Sequence, residues 1–215
     1  MKIGILFDLD GTLLDTLQDI ACSVNYALTE LKLPNRSLEQ VRSYVGNGAY
    51  RLLEQALPGR EDDPAVEAAV ALFNRHYNVT CNDTTCPYPY IPEALEILQK
   101  KYPIAIVSNK PDTAVQALRD RYFPGYFAMG VTPELPRKPA PDMPRAAMER
   151  LGVDTCIYVG DSEVDVLTAA NTGVPCLSVT WGFRDEDCLV EAGGKVFCHD
   201  PKDLPQIIEE MVKSL

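Results

Sequence analysis

The stretch Phe7-Asp8-Leu9-Asp10-Gly11-Thr12-Leu13-Leu14-Asp15-Thr16 follows directly on the apolar run Ile3-Gly4-Ile5-Leu6. It predicts a buried β-strand that ends on two carboxylates. Because strand side chains alternate between faces, Asp8 and Asp10 would share one face if the strand continued, and Gly11 allows a sharp turn. Two close carboxylates repel each other unless a cation or a shared proton relieves them, which favours a divalent metal. The alternative is a solvated Asp-Gly turn.

Further apolar runs of strand length recur along the chain and alternate with helical patterns. Helix-like segments lie at Glu93–Lys101, Thr113–Arg121, Met143–Leu151, Glu163–Thr172 and Lys202–Leu215, and strand-like runs at Lys2–Phe7, Ile104–Ser108, Tyr126–Val131, Cys156–Val159, Pro175–Val179 and, more weakly, Lys195–Cys198. Alternation of this kind predicts an α/β fold with a doubly wound, Rossmann-like parallel sheet. Paired acids at the carboxyl end of such a strand lie where these sheets bind ligands.

The segment between Thr16 and about Asn82 breaks this alternation, because its pattern is helical throughout. Amphipathic or helix-favouring stretches lie at Leu17–Leu31, Ala49–Leu57 and Pro64–Val79, and Ser37-Leu38-Glu39-Gln40 fits a capping box. A parallel crossover needs only about a dozen residues. We therefore predict an inserted all-α cap domain at 16–82, acting as a lid on an α/β core formed by 1–15 and 83–215.

Composition narrows the possible partners. The apolar fraction is 46%, the charged fraction 24% and the net charge −11, which indicates a globular protein with no nucleic-acid partner. No apolar run approaches the length of a membrane helix, so no membrane partner is expected. An odd number of cysteines, seven, with no signal peptide after Met1 predicts a cytoplasmic protein with reduced thiols. Both a monomer and a homodimer remain open.

Three more strand ends carry polar groups: Ser108-Asn109-Lys110, then Lys138 ahead of a proline-initiated helix, then Gly160-Asp161 with Asp165 one turn into the next helix. Taken singly, these residues could be helix caps or solvated loop charges. Together they predict one site at the edge of the sheet.

The residue types at this edge indicate phosphate and metal chemistry. The carboxylates of Asp8, Asp10 and Asp161 are hard oxygen ligands of the kind that Mg²⁺ prefers. Ser108 and Lys138 offer a hydrogen-bond donor and a cation for phosphate oxygens. No Ser-His or Cys-His pair is evident, which favours an aspartate nucleophile.

The four motifs resemble those of the haloacid dehalogenase superfamily, in its phosphatase branch with a helical cap after the first strand. They are Asp8-Leu9-Asp10-Gly11-Thr12, Ser108-Asn109, Lys138-Pro139 and Gly160-Asp161-Ser162-Glu163-Val164-Asp165, in the family order and spread over essentially the whole chain. The resemblance implies a Mg²⁺-dependent phosphatase that forms an aspartyl-phosphate intermediate.

The roles implied by the resemblance are specific. Asp8 attacks phosphorus, Asp10 is the general acid and base, and Ser108 and Lys138 stabilise the transferring phosphoryl group. Asp8, the main-chain carbonyl of Asp10, and Asp161 hold Mg²⁺. The further expected residues are Asp165, which orients Lys138 or a metal-bound water, and Thr12 and Asn109, which bind substrate.

The predicted cap carries the glycine-rich loop Tyr44-Val45-Gly46-Asn47-Gly48, which resembles the cap loop of phosphoglycolate phosphatases. The resemblance implies that Gly46, Asn47 and Arg51 bind the non-phosphate end of a small phosphorylated metabolite, with 2-phosphoglycolate the first choice. The alternative is a turn with Asn47 as helix cap and Arg51 in solvent. Pyrophosphatases, sugar phosphatases and nucleotidases of the family share similar loops. The loop Trp181-Gly182-Phe183-Arg184 departs from the better-known phosphoglycolate enzymes, and its role is open.

Other functions compete with this interpretation. A sugar phosphomutase, similar to β-phosphoglucomutase, uses the same pair of aspartates, and a noncatalytic binding module could share the fold. Dehalogenases lack the second aspartate of the motif, which is present here as Asp10. Phosphonate-cleaving relatives need a cap lysine, and residues 35–82 contain none.

Overall fold

The computed structural model describes residues 1–57 and 64–215. Within this part, the chain forms two compact units. The first comprises Met1–Leu14 and Pro87–Leu215, and the second comprises Asp15–Cys86. None of the helices described has the length and apolarity that a bilayer crossing requires.

The first unit is built on a six-stranded sheet in which all neighbouring strands run parallel. Its strands are β1 (Ile3–Phe7), β4 (Ile104–Pro111), β5 (Phe127–Val131), β6 (Thr155–Gly160), β7 (Cys176–Val179) and β8 (Phe197–Cys198), while the short strands β2 (Leu14–Asp15) and β3 (Cys86–Pro87) pair with each other elsewhere. The order of the six strands across the sheet is β5-β4-β1-β6-β7-β8. The predicted doubly wound, parallel α/β fold is confirmed. Neighbouring strands are parallel, and the first strand, β1, lies inside the sheet between the later strands β4 and β6.

Helices cover both faces of this sheet. They are α5 (Ile91–Leu98), α6 (Asp112–Tyr122), α7 (Asp142–Leu151), α8 (Glu163–Thr172), α9 (Glu186–Glu191) and α10 (Leu204–Lys213). Alternate residues of β1 enter different cores: Ile5 and Phe7 join the cluster that includes side chains of α5, α6 and α10, and Leu6 joins the cluster with side chains of α7 and α8. The short helix α9 had no counterpart among the predicted segments.

The second unit is helical. It contains α1 (Leu17–Glu30), α2 (Leu38–Tyr44), α3 (Gly48–Ala56) and α4 (Pro64–Thr80). The expected capping box at the start of α2 is present, since Ser37 and Gln40 exchange side-chain to backbone hydrogen bonds. Two short strands, β2 (Leu14–Asp15) and β3 (Cys86–Pro87), pair where the chain passes between the units.

The return of the chain after α4 is fixed by one buried carboxylate in α1. Asp19 accepts hydrogen bonds from the backbone N–H and the hydroxyl of Thr84, and from the same two groups of Thr85. Burial acts to raise the pKa of Asp19, but these hydrogen bonds outweigh it and lower the pKa. Thr84 and Thr85 are therefore bound to the helical unit.

Candidate active site

The site lies where β1 and its two neighbours end. β1 stops at Phe7, and the backbone N–H of Asp8 donates to the carbonyl of Val159 in β6. β6 ends at Gly160, so Asp161 follows directly, while β4 on the other side of β1 continues through Ser108. Because parallel strands end at the same edge of a sheet, these positions converge.

Three carboxylates meet at this edge. Asp8, Asp161 and Asp165 are buried and each offers an oxygen within 4.8 Å of the others. The Lys138 ammonium lies 2.8 Å from both Asp8 and Asp165, and only 2% of its side chain is exposed. Three carboxylates against one ammonium leave an excess of two negative charges in the cluster. Such an excess in a buried site is costly and invites a divalent cation or protons.

The pKa values follow from this arrangement. Burial raises the pKa of Asp8 well above its usual value, against the opposing charge of Lys138, and Asp165 and Asp161 raise it further. Burial, with a contribution from Asp165, raises the pKa of Asp161 to about 7. Burial acts to lower the pKa of Lys138, but the charges of Asp165 and Asp8 prevail and raise it well above its usual value. Lys138 therefore remains an ammonium.

Asp161 is held from two directions. Its Oδ1 accepts from the Thr12 hydroxyl at 3.0 Å, and its Oδ2 accepts from the backbone N–H of Phe183 at 2.7 Å. Gly182 allows this close approach, because a Cβ there would stand 2.4 Å from Asp161 and from the carbonyl oxygen of Gly11. The structure thus places Thr12, an expected substrate-binding residue, in contact with a candidate metal ligand.

The loop of unassigned role, Trp181–Arg184, is part of this support. The Trp181 indole N–H donates to the carbonyl of Thr12 at 3.0 Å, and the Arg184 guanidinium forms an ion pair with Glu163 at 2.8 Å. The sequence signal that could have identified this loop is its position directly after a buried strand, β7, in the same sheet. Strand ends in such a sheet reach the same edge.

Asp165 and Asn109 both act on Lys138. Asp165 accepts from Lys138 through Oδ1, and its Oδ2 accepts from the backbone N–H and the hydroxyl of Ser162. Asn109 donates to the main-chain carbonyl of Lys138 and accepts from its N–H, at 3.0 and 2.8 Å. Asn109, expected to bind substrate, lies where it fixes the backbone of the site lysine.

Ser108 and Asn109 are residues of β4 and do not cap a helix. Helix α6 begins at Asp112 with Pro111 before it, and no side chain caps it. The alternative in which these two residues only cap a helix is therefore wrong. The Ser108 hydroxyl, buried at the site, accepts from the backbone N–H of Lys110 at 3.2 Å.

Asp10 does not belong to the group of three carboxylates. β1 ends at Phe7, so Asp10 lies in the turn that follows the strand, and its Oδ1 lies 3.0 Å from the Lys110 ammonium. Sequence reasoning missed Lys110 as a site residue. Its signal was the third position of Ser108-Asn109-Lys110, at the end of an apolar strand.

The expected substrate residues of the cap lie in the helical unit. Asn47 precedes α3 without a side-chain capping hydrogen bond, and Arg51, in the first turns of α3, forms an ion pair with Glu54. Gly46 has φ +127°, a conformation that glycine adopts readily.

The donor set fits a hard divalent cation. The Asp8 and Asp161 carboxylates are oxygen ligands in a buried cluster with excess negative charge, and Asp161 is oriented by hydrogen bonds. Both oxygens of Asp165 already accept hydrogen bonds, one from Lys138 and the other from Ser162, so Asp165 is suited to orienting the lysine.

Comparisons with known proteins agree on one family. The family model described as haloacid dehalogenase-like hydrolase matches residues 5–179. A phosphoglycolate phosphatase of Pseudomonas putida KT2440 is 37% identical over 191 residues, which cover 84% of this chain and 70% of the relative. One of Pseudomonas syringae pv. tomato is 36% identical over 213 residues, covering 93% and 77%.

A solved structure adds the same likeness in three dimensions. It is that of a protein of Lactobacillus delbrueckii subsp. bulgaricus described as a candidate phosphoglycolate phosphatase, with a TM-score of 0.88 and 33% identity, covering 95% of this chain and 97% of the other.

Proposed function

Because the chain belongs to the family of haloacid dehalogenase-like hydrolases, we propose that it is a Mg²⁺-dependent phosphatase that forms an aspartyl-phosphate on Asp8. Its enzyme class is that of the phosphoric monoester hydrolases. The observation that carries the mechanism is the buried Asp8 carboxylate held 2.8 Å from the Lys138 ammonium beside Asp161 and Asp165. A carboxylate fixed beside a cation is placed to attack a phosphoryl group whose oxygens the same cation binds.

Each residue has a defined part. Asp8 attacks phosphorus while Asp10 gives a proton to the leaving oxygen, and Asp10 then takes a proton from the water that hydrolyses the intermediate. Lys138 and Ser108 bind the phosphoryl oxygens, and Asp165 keeps Lys138 in place.

Asp8, Asp161 and the main-chain carbonyl of Asp10 are the proposed ligands of Mg²⁺. When bound, the cation supplies positive charge against the phosphoryl oxygens. The excess negative charge of the cluster supports this assignment, since a divalent cation balances it.

We further propose 2-phosphoglycolate as the substrate and residues 16–82 as the cap domain of an α/β core. The names of the relatives at 36–37% identity support the choice of substrate. Gly46, Asn47 and Arg51 are the proposed contacts for the substrate carboxylate, because a glycine-rich loop that opens a helix offers backbone N–H groups and Arg51 adds a positive charge.

The test is phosphate release with Mg²⁺ from 2-phosphoglycolate, pyrophosphate, hexose phosphates and mononucleotides. We expect the highest kcat/KM for 2-phosphoglycolate, and a higher KM in Arg51→Met. Glu54→Gln is the matched control, since it removes the negative charge that pairs with Arg51 and keeps the arginine. A flat profile would withdraw the substrate, and conversion of a hexose 1-phosphate to its isomer without phosphate release would indicate a mutase.

A further inference from the structure

Lys110 is a buried lysine with no role in the mechanism described above. Its side chain is 7% exposed, at the end of β4, and its ammonium lies 3.0 Å from Oδ1 of Asp10, whose side chain is 13% exposed. Burying an ammonium is costly unless it is paired, so the fold maintains this contact against a desolvation penalty.

The backbone around Lys110 is fixed at the same place. The pairing of β4 with β5 shifts register between Val107 and Pro111, and the Lys110 N–H donates to the Ser108 hydroxyl. The preceding residue, Asn109, binds both main-chain groups of Lys138. The end of β4 therefore helps to position both lysines of the site. It contains Lys110 itself, and its Asn109 holds the main chain of Lys138.

Each aspartate of the first motif, Asp8 and Asp10, is in contact with a different lysine. Lys138 contacts Asp8, and Lys110 contacts Asp10. The nucleophile and the proton-transfer group are thus each in contact with an ammonium group.

We propose that Lys110 is the positioning residue for Asp10, which it holds in the orientation needed to exchange a proton with the leaving oxygen. This inference rests on the proposed function. A carboxyl group that transfers a proton must lie within hydrogen-bond reach of the reacting oxygen, and an ammonium on one of its oxygens limits its rotation. As Asp8 attacks, the bond from phosphorus to the leaving oxygen breaks and that oxygen takes the proton of Asp10. Lys110 gains and loses no proton.

The leaving group provides the test. An alkyl alcohol leaves poorly without a proton, whereas 4-nitrophenolate leaves as a stable anion and needs little help. We expect Lys110→Met to lower kcat/KM by about 10- to 100-fold on the alkyl phosphomonoester that the wild type hydrolyses fastest, and by less than about 3-fold on 4-nitrophenyl phosphate. The comparison uses kcat/KM because this ratio covers the steps up to departure of the leaving group, whereas kcat also contains the hydrolysis of the aspartyl-phosphate that both esters share. Lys110→Arg should recover part of the loss. Lys138→Met, the control, should lose activity on both esters.

A second measurement keeps the inference testable if the single variant folds poorly. In an Asp10→Asn background, Lys110→Met should add almost no further loss on the alkyl ester, because the two residues act as one unit. Additive losses would overturn the inference, as would an equal loss, or no loss, in kcat/KM on both esters in Lys110→Met. A wild type that hydrolyses neither ester would overturn the proposed function and this inference with it.

Discussion

At the scale of single residues, the site depends on contacts that orient its acids as much as on the acids themselves. Asp161 accepts hydrogen bonds from the Thr12 hydroxyl and from the backbone N–H of Phe183. The loop that contains Phe183 approaches Asp161 so closely that only glycine fits at position 182. Mutating a group that orients a metal ligand typically costs about 10- to 100-fold in metal affinity.

Gly182→Ala should therefore weaken metal binding. Its Cβ would lie 2.4 Å from the Asp161 side chain and from the carbonyl oxygen of Gly11, so the loop or the carboxylate must move. We expect a loss of roughly 10- to 100-fold in affinity for Mg²⁺, measured as the rise in Tm with added Mg²⁺. Wild-type affinity in a folded variant would show that the loop does not orient Asp161.

At the scale of elements, the helical unit relies on a polar contact between its first helix and the segment after its last. Asp19 in α1 accepts four donors from Thr84 and Thr85. Such a carboxylate stabilises the folded state above the pKa it has in the unfolded chain, and the contribution is lost as the pH falls through its lowered folded pKa.

Asp19→Asn should lower the free energy of unfolding by about 1–3 kcal/mol at neutral pH, because an amide cannot accept all four hydrogen bonds. The free energies of unfolding of the two proteins, measured in urea, should differ by the full amount near neutral pH. The difference should shrink at acidic pH as wild-type Asp19 becomes protonated. The exposed Asp83→Asn is the matched control, with an expected change under about 0.5 kcal/mol. A difference that grows toward low pH would contradict this account.

The predicted elements and the observed ones differ where local signals are weak. Apolar runs of strand length located the six strands of the sheet, and proline and glycine located the helix ends around α7 and α8. Helix α9 was missed because Glu186–Glu191 is short and has no clear apolar period. The two-residue strands β2 and β3 are defined by their pairing with each other, which a single segment does not reveal.

At the scale of the whole molecule, the sequence predicted which strand ends carry polar groups but not how those groups pair. The convergence of Asp8 and Asp161 follows from the parallel topology alone. The contact of Lys110 with Asp10 joins residues that are 100 positions apart in the sequence, and the contact of Phe183 with Asp161 joins residues that are 22 positions apart. No local pattern encodes such contacts, because they depend on strand order and on the register shift in β4.

The acidic surface and the acidic site place opposite demands on the molecule. The net charge of −11 disfavours anions near the protein in general, whereas a phosphomonoester must approach three buried carboxylates. Lys138, Lys110 and a bound divalent cation would supply the local positive charge that an anionic substrate needs.

The measurement that tests the central claim most directly is phosphate release by the wild type and by Asp8→Asn, with Mg²⁺ present and Tm recorded for both proteins. We predict steady release by the wild type and a loss of at least about 10³-fold in the folded variant, because an amide cannot attack phosphorus. A folded Asp8→Asn variant that retains wild-type turnover would contradict the aspartyl-phosphate mechanism.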